Sequence, residues 1–285
     1  MVIMKRRFVF LCLLCLMAAL SAAQDAKELY ILHTNDMHSR IVPFDSGYPD
    51  TLLAGKAGVV RRASLVRKLR KEHPHLLLFD CGDFSQGSPY YNLFKGEVEI
   101  KAMNEMGYDA GTIGNHEFDF GLENMARLFS MARFPIVCAN YEVTGTPLEG
   151  VVKEYVVVRR EGMRIGVFGL GAELDGLVAH ANYEGVRFED PVVEADRVAR
   201  LLKEEEHCDV VICLSHLGWE GEPYSDVELI ENTRNIDIVL GGHSHSYFDS
   251  PKVYKNLDGM DVPLQQMGKH AAFVGWMSVK LQKEQ

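Results

Sequence analysis

Five short stretches collect the side chains of this sequence best suited to holding a cation or moving a proton. They are TNDMHS with Asp36 and His38, GDFSQG with Asp83, GNHEFDFG with Asn115, His116 and Asp119, CLSHLG with His216, and GGHSHS with His243 and His245. In an extended segment side chains at i and i+2 share a face, so Asp36 and His38 are placed to grip one cation. His243 and His245 repeat that arrangement behind two glycines, which let the backbone pass close to a ligand. Asp83 has two carboxylate oxygens with which to bridge a pair of ions, Asn115 adds a neutral amide oxygen, and His216 adds another imidazole. Mixed oxygen and nitrogen donors without cysteine suit Zn, Mn, Fe, Co or Ni rather than a structural thiolate zinc site. If Asn115 and His116 are extended they point to opposite sides, Asn115 toward a metal and His116 toward a substrate. Asp119, one tight turn later, is then placed to hold the second ring nitrogen of His116, giving it the geometry of a positioned proton donor.

Taken singly, each stretch has a plainer explanation: a helix-cap carboxylate, a Gly-Asp-Ser turn, a solvated loop or a hydrogen-bonded core histidine. Their placement argues otherwise, because each follows an apolar run. Probable strands are LYILHT, HLLLFD, AGTIG, FPIVCAN, RIGVFGLG, CDVVICLSH and IDIVLGG. Between them GVVRRASLVRKLRKE, VEIKAMNEM, LENMARLFSMAR and VVEADRVARLLKEEE repeat apolar residues every three or four positions and are expected to be helices. Such alternation predicts an α/β chain with a mainly parallel sheet, whose strands present their C-terminal ends at one rim where ligands bind. Two β-rich runs around Arg160-Glu161-Gly162 predict a hairpin, and PLQQMGKHAAFVGWMSVKLQ reads as strands joined by Gly268. His73, His75, His180, His207 and His270 lack a comparable setting and are expected on the surface or in the core.

The chain has 285 residues, 47% of them hydrophobic and 25% charged, as expected of a soluble globular protein. Residues 1–23 stand apart: Lys5, Arg6 and Arg7 precede FVFLCLLCLMAAL, and Ser21 and Ala23 are small enough for cleavage before Gln24. This is the pattern of a removable export signal, which puts the remaining domain at 24–285 and leaves no stable membrane span. Bulky residues ahead of Cys12 and Cys15 argue against a lipid tether. Cleavage would take the formal charge from −10 to −13, which disfavours a nucleic-acid partner. Cys81, Cys138, Cys208 and Cys213 then remain, irregularly spaced and expected to be small buried hydrophobes in strands.

The ordered set DxH, GD, GNHE, a lone His after a strand and GHSH resembles the calcineurin-like metallophosphoesterase superfamily. TNDMHS, GDFSQGSP, GNHEFDFG and GGHSH are similar to its 5′-nucleotidase and UDP-sugar hydrolase branch. The resemblance implies a four-layer α/β/β/α sandwich with two divalent cations at the rim. Asp36, His38, Asp83 and His245 would hold the first, and Asp83, Asn115, His216 and His243 the second, with Asp83 bridging. His116 and Asp119 match the catalytic pair, and Asn115 and His116 would also contact substrate. The implied reaction is attack of a metal-bound hydroxide on a phosphate ester, a nucleotide by preference, so no protein nucleophile is needed. Sugar phosphates, cyclic phosphodiesters and thiosulfate esters are alternative substrates. Many members carry a second, C-terminal domain that grips the nucleobase. Here the sequence runs only to Gln285, so a separately encoded partner domain is expected if one is needed, and a non-catalytic metal-binding subunit is a further alternative.

Overall fold

A computed structural model describes residues 27–221 and 223–281. The expected export segment lies outside the described residues. Strands follow in the order β1 (Lys27–Thr34), β2 (Leu77–Asp80), β3 (Ala110–Gly111), β4 (Ile136–Val137), β5 (Tyr141–Glu142), β6 (Val152–Lys153), β7 (Tyr155–Arg160), β8 (Met163–Leu170), β9 (Arg187–Phe188), β10 (Val210–Ser215), β11 (Ile238–Leu240), β12 (Lys252–Lys255), β13 (Asp261–Gln265) and β14 (Gly275–Leu281). The helices are α1 (Val59–Glu72), α2 (Pro89–Phe94), α3 (Glu97–Met106), α4 (Gly121–Met131), α5 (Pro191–Glu204) and α6 (Asp226–Glu231).

Two six-stranded sheets form the centre, ordered β14-β1-β2-β3-β4-β6 and β12-β13-β11-β10-β8-β7. Three apolar layers hold them. Leu29 and Ile31 of β1 face Ile165 and Val167 of β8 and Ile212 and Leu214 of β10 between the sheets. The other face of the first sheet, with Leu32 and Leu78, packs under Val66 of α1, Met103 of α3 and Met125 of α4. The other face of the second, with Val211 and Cys213, packs under Ala195, Val198 and Leu202 of α5. Strands buried on both faces must be apolar throughout, which explains why VVICLS is a continuous run with every residue buried. The result is the four-layer α/β/β/α sandwich.

The core pairings β1-β2-β3-β4 and β8-β10-β11 are parallel, as the alternation predicts. Asp190 starts α5 by accepting from the Val192 and Val193 amides at 2.8 and 3.1 Å, with Pro191 in the first turn. The expected hairpin joins β7 to β8, with Glu161 and Gly162 both at positive φ (49° and 69°), the conformation of a tight two-residue turn. The C-terminal segment differs from the simple strand pair expected. β13 lies parallel to β11 in the second sheet, whereas β14 runs antiparallel to β1 in the first. The residues between them therefore cross from one sheet to the other. The four described cysteines are free and buried, but only Cys213 lies inside a strand.

Candidate active site

The five sequence stretches leave the C-terminal ends of β1, β2, β3, β10 and β11, three strands of one sheet and two of the other. Backbone bonds lock the first two loops together: Asp36 N–H to the Gly82 carbonyl at 3.0 Å and His38 N–H to the Asp83 carbonyl at 2.9 Å. The loop after β11 docks through the His243 amide, which donates to both Asp36 carboxylate oxygens at 3.2 and 3.0 Å. Close approach depends on glycine. A Cβ on Gly242 would stand 2.8 Å from the Cys81 carbonyl oxygen, and one on Gly114 would stand 2.2 Å from Asp83 Oδ1.

The paired residues converge by a route that differs from the extended backbone expected for them. Asp36, His38, Asp83, His243 and His245 all have positive φ, between 44° and 73°. Left-handed backbone costs a non-glycine residue roughly 1–2 kcal/mol, so the interlocked loops impose it. Asn115–Phe120 is likewise a 3-10 helix rather than an extended segment. With three residues per turn, positions i and i+3 eclipse. That geometry stacks His116 over Asp119, Nδ1 to Oδ2 at 3.1 Å, and turns Asn115 another way, its Oδ1 lying 3.1 Å from His243 Nδ1.

Ligand atoms of Asp36, His38 and His245 lie within 4.8 Å of one another, as do those of Asp36, Asp83 and His216 and those of His38, Asp83 and His116. His38 Nε2 and His245 Nε2 approach to 3.0 Å. His216 shows what such a site requires. Its Nδ1 faces the Cys81 carbonyl at 2.7 Å and must donate to it, which leaves Nε2 as the nitrogen available to a second proton or a cation. That nitrogen is buried, has no hydrogen-bond partner, and sits 3.3 Å from Asp83 Oδ2. Two electron-rich atoms so placed need positive charge between them. Burial lowers the affinity of His216 for a proton, yet the carboxylates of Asp83 and Asp36 outweigh it and push the pKa up to about 10. Asp83 is held below the usual carboxylate range against its burial by the imidazoles of His216 and His38. His243 shows the opposite balance, lowered to about 4 chiefly by burial. The carboxylates thus hold positive charge on His216 as a proton, and a divalent cation would take that proton's place; imidazole nitrogens and ionised carboxylates in one buried cluster are the donor set of such a cation, so the residues fit it.

His116 is poised differently. Its side chain and that of Asp119 are each about one-third exposed, and the hydrogen bond to Asp119 raises its pKa against burial. Its amide donates to Asp83 Oδ1 at 2.9 Å, and its carbonyl accepts from the Tyr91 hydroxyl at 3.2 Å.

Three contributors were not singled out from the sequence. Glu117 lies buried beneath the loops and accepts from the Asp83, Gly114 and Ser85 amides at 2.9, 2.7 and 3.1 Å. Asn35 donates to Asp36 Oδ2 at 2.6 Å and accepts from the Met267 amide at 2.9 Å. Both residues stand beside ligands in the quoted motifs, and that adjacency was the available signal. His270, expected on the surface or in the core, donates its backbone amide to the Asp36 carbonyl at 2.6 Å and sets its ring 5.8 Å from that of His38. It arrives on the segment that crosses between sheets, and no spacing marks it. Glu117→Ala would strand three amide donors and is expected to cost about 3 kcal/mol or more. Thermal unfolding should show a Tm lower by roughly 10 °C, with Glu117→Gln retaining part of the difference; an unchanged Tm for the alanine variant would refute this role.

Comparison with known proteins gives a concordant result. The family model described as calcineurin-like phosphoesterase matches residues 29–247. A snake venom 5′-nucleotidase of Gloydius brevicauda is 32% identical over 92% of this chain and 47% of its own length. The structure of a 5′-nucleotidase precursor from Thermus thermophilus superposes with a TM-score of 0.80 at 30% identity, covering 89% of this chain and 51% of that one. The calcineurin-like phosphoesterase YfkN from Bacillus subtilis superposes with a TM-score of 0.74 at 29% identity, covering 91% of this chain and 86% of that one. The chain spans about half the length of the curated relatives it matches.

Proposed function

Because the chain belongs to the calcineurin-like phosphoesterase family, we propose that it hydrolyses nucleotides or related phosphate esters at a site holding two divalent cations. The observation that carries this reading is the buried His216 Nε2 held 3.3 Å from Asp83 Oδ2, in a cluster beside a hydrogen-bonded His116–Asp119 pair. Asp36, His38, Asp83 and His245 would hold one cation, and Asp83, Asn115, His216 and His243 the other. When bound, the cations neutralise phosphate oxygens and make water a competent nucleophile near neutral pH. Asp119 fixes the His116 ring by accepting from Nδ1–H and favours the doubly protonated imidazole, which leaves Nε2–H as a donor on the opposite side of the ring. There His116 can donate to a phosphoryl or leaving-group oxygen as negative charge builds on it. Glu117 holds the Asp83 and Gly114 backbones so that these distances are set before substrate arrives.

A pure metal store would have no use for the His116–Asp119 pair, which favours an enzyme. The half of the Gloydius and Thermus 5′-nucleotidases that lies outside the match supports a further domain, or a second polypeptide, as the source of contacts to the remote part of the substrate. The charged, apolar and small-residue order of residues 1–23 supports export, and N-terminal sequencing from the native host should find Gln24 first; an intact Met1 form in the cytoplasm would overturn that part. Activity itself is tested by phosphate release across a panel of metals and esters. Nucleoside monophosphates should be cleaved in a metal-dependent manner, and failure with every phosphate ester under every metal would refute the reading.

A further inference from the structure

Where the segment that crosses between the sheets meets α1 lies a cavity of about 650 Å³, a volume typical of small-molecule sites. Its walls are largely apolar, with Leu65, Met267 and Val274 beside the rings of Tyr247, Phe273 and Trp276. Tyr247 and Phe273 pack with centroids 4.6 Å apart, while Tyr247 and Trp276 remain 44% and 36% exposed. None of the candidate cation ligands lines this cavity, nor does His116 or Asp119.

Three cations, Lys56, Arg61 and Arg62, are set into these walls against one carboxylate, Asp249. They stand at or just before the start of α1, an end with no acidic residue in its first turn and no side-chain cap. A helix dipole places about half a positive charge at that end, so basic residues there are unfavourable until a negative charge joins them. The Lys56 ammonium lies 4.4 Å from the Phe273 centroid, and Arg61 donates to the Gly55 carbonyl. Neither contact neutralises a charge.

Arg62 is the costliest of the three. It is 6% exposed, and its Nε and Nη1 are enclosed without a hydrogen-bond partner. Asp80, which feels its field, is pushed up to about 8 by burial, so at neutral pH it is largely protonated and supplies little counter-charge. Arg62 also borders a second cavity of about 10 Å³, room for one water, where Glu99 directs its carboxylate to Ser39. A water there can accept a hydrogen bond but cannot neutralise the guanidinium.

We infer that the larger cavity binds a small amphipathic carboxylate, its anionic group on Arg62 and its apolar body along Phe273, Val274 and Trp276. The planar guanidinium matches a carboxylate at two points, and Lys56 and Arg61 draw an anion toward it. Apolar walls select against a bare inorganic anion, which would lose its hydration there without gaining contacts. The site is separate from the cation cluster and holds whether or not the chain hydrolyses phosphate esters.

The test is calorimetric titration of the metal-loaded protein with 4-phenylbutyrate and with its uncharged analogue 4-phenylbutanamide. The acid should bind one equivalent with a Kd below about 1 mM, and the amide about 10-fold or more weakly, since it keeps the body but loses the charge-assisted bonds. Arg62→Met should weaken the acid about 10- to 100-fold and leave the amide within about twofold. Its Tm should be unchanged or higher, because it removes a buried charge that no protein group compensates; a purely structural arginine would show the reverse. Arg61→Glu, on the exposed face of α1, should weaken the acid about 2- to 10-fold and decides the matter alone if Arg62→Met does not fold. Stripping the cations with a chelator should leave the affinity within about twofold, because the site lies apart from them. Equal affinity for acid and amide would overturn the inference, as would wild-type affinity in Arg61→Glu. So would binding that vanishes with the cations, or no heat with the acid up to about 5 mM, several times the expected Kd.

Discussion

His116→Ala should retain both cations while turnover falls roughly 10²- to 10⁴-fold, the range of a positioned acid-base group. The alternative role is geometrically available, because His116 shares a 4.8 Å grouping with His38 and Asp83. Two features favour proton transfer over ligation: one ring nitrogen is already engaged by Asp119 at 3.1 Å, and the side chain is about one-third exposed, unlike the enclosed His216. Its neighbour should fail in another way. Asn115 points at His243, so Asn115→Ala should lose metal and activity together and recover partly with excess metal. Asp119→Asn should lie between them, since it loosens the imidazole without removing it. Metal content and phosphate release, measured together on the three variants, separate the roles. Loss of metal in His116→Ala, or full activity when fully loaded, would overturn the assignment.

Asp83→Ala is expected to be at least as damaging, for a different reason. Its carboxylate belongs to two of the three ligand groupings and also accepts the His116 amide. Removing it takes away the negative charge that holds positive charge against His216, and frees the backbone on which His116 sits. Metal content should fall from about two ions per chain to one or none. A readout independent of catalysis is available, because a cation that binds only the folded state raises Tm as its concentration rises. Wild type should show that rise and Asp83→Ala should show little of it. Two tightly held cations in the alanine variant would rule out Asp83 as a shared ligand.

Much of this was legible in the linear sequence. Continuous apolar runs such as VVICLS can be buried on both faces only inside a layered sheet, and helical periodicity between them calls for covering helices. Polar residues just past such runs fall at strand ends, so Asp36, Asp83, Asn115, His216 and His243 were identifiable from local order alone. What local order does not carry is backbone conformation under tertiary constraint. Asp36, His38, Asp83, His243 and His245 are left-handed because interlocked loops and glycine contacts leave no extended path, and isolated segments would not adopt that costly state. The 3-10 turn that stacks His116 on Asp119 is likewise anchored by Glu117, which bonds across to the loop after β2. His270 reaches Asp36 only because β13 and β14 belong to different sheets, and the chain between them must cross the rim. The sequence by itself determined which residue types meet at the strand ends and the alternation that brings those ends together. Only the tertiary structure decided their orientation, because a side chain's direction depends on backbone angles that distant contacts, and not neighbouring residues, hold in place.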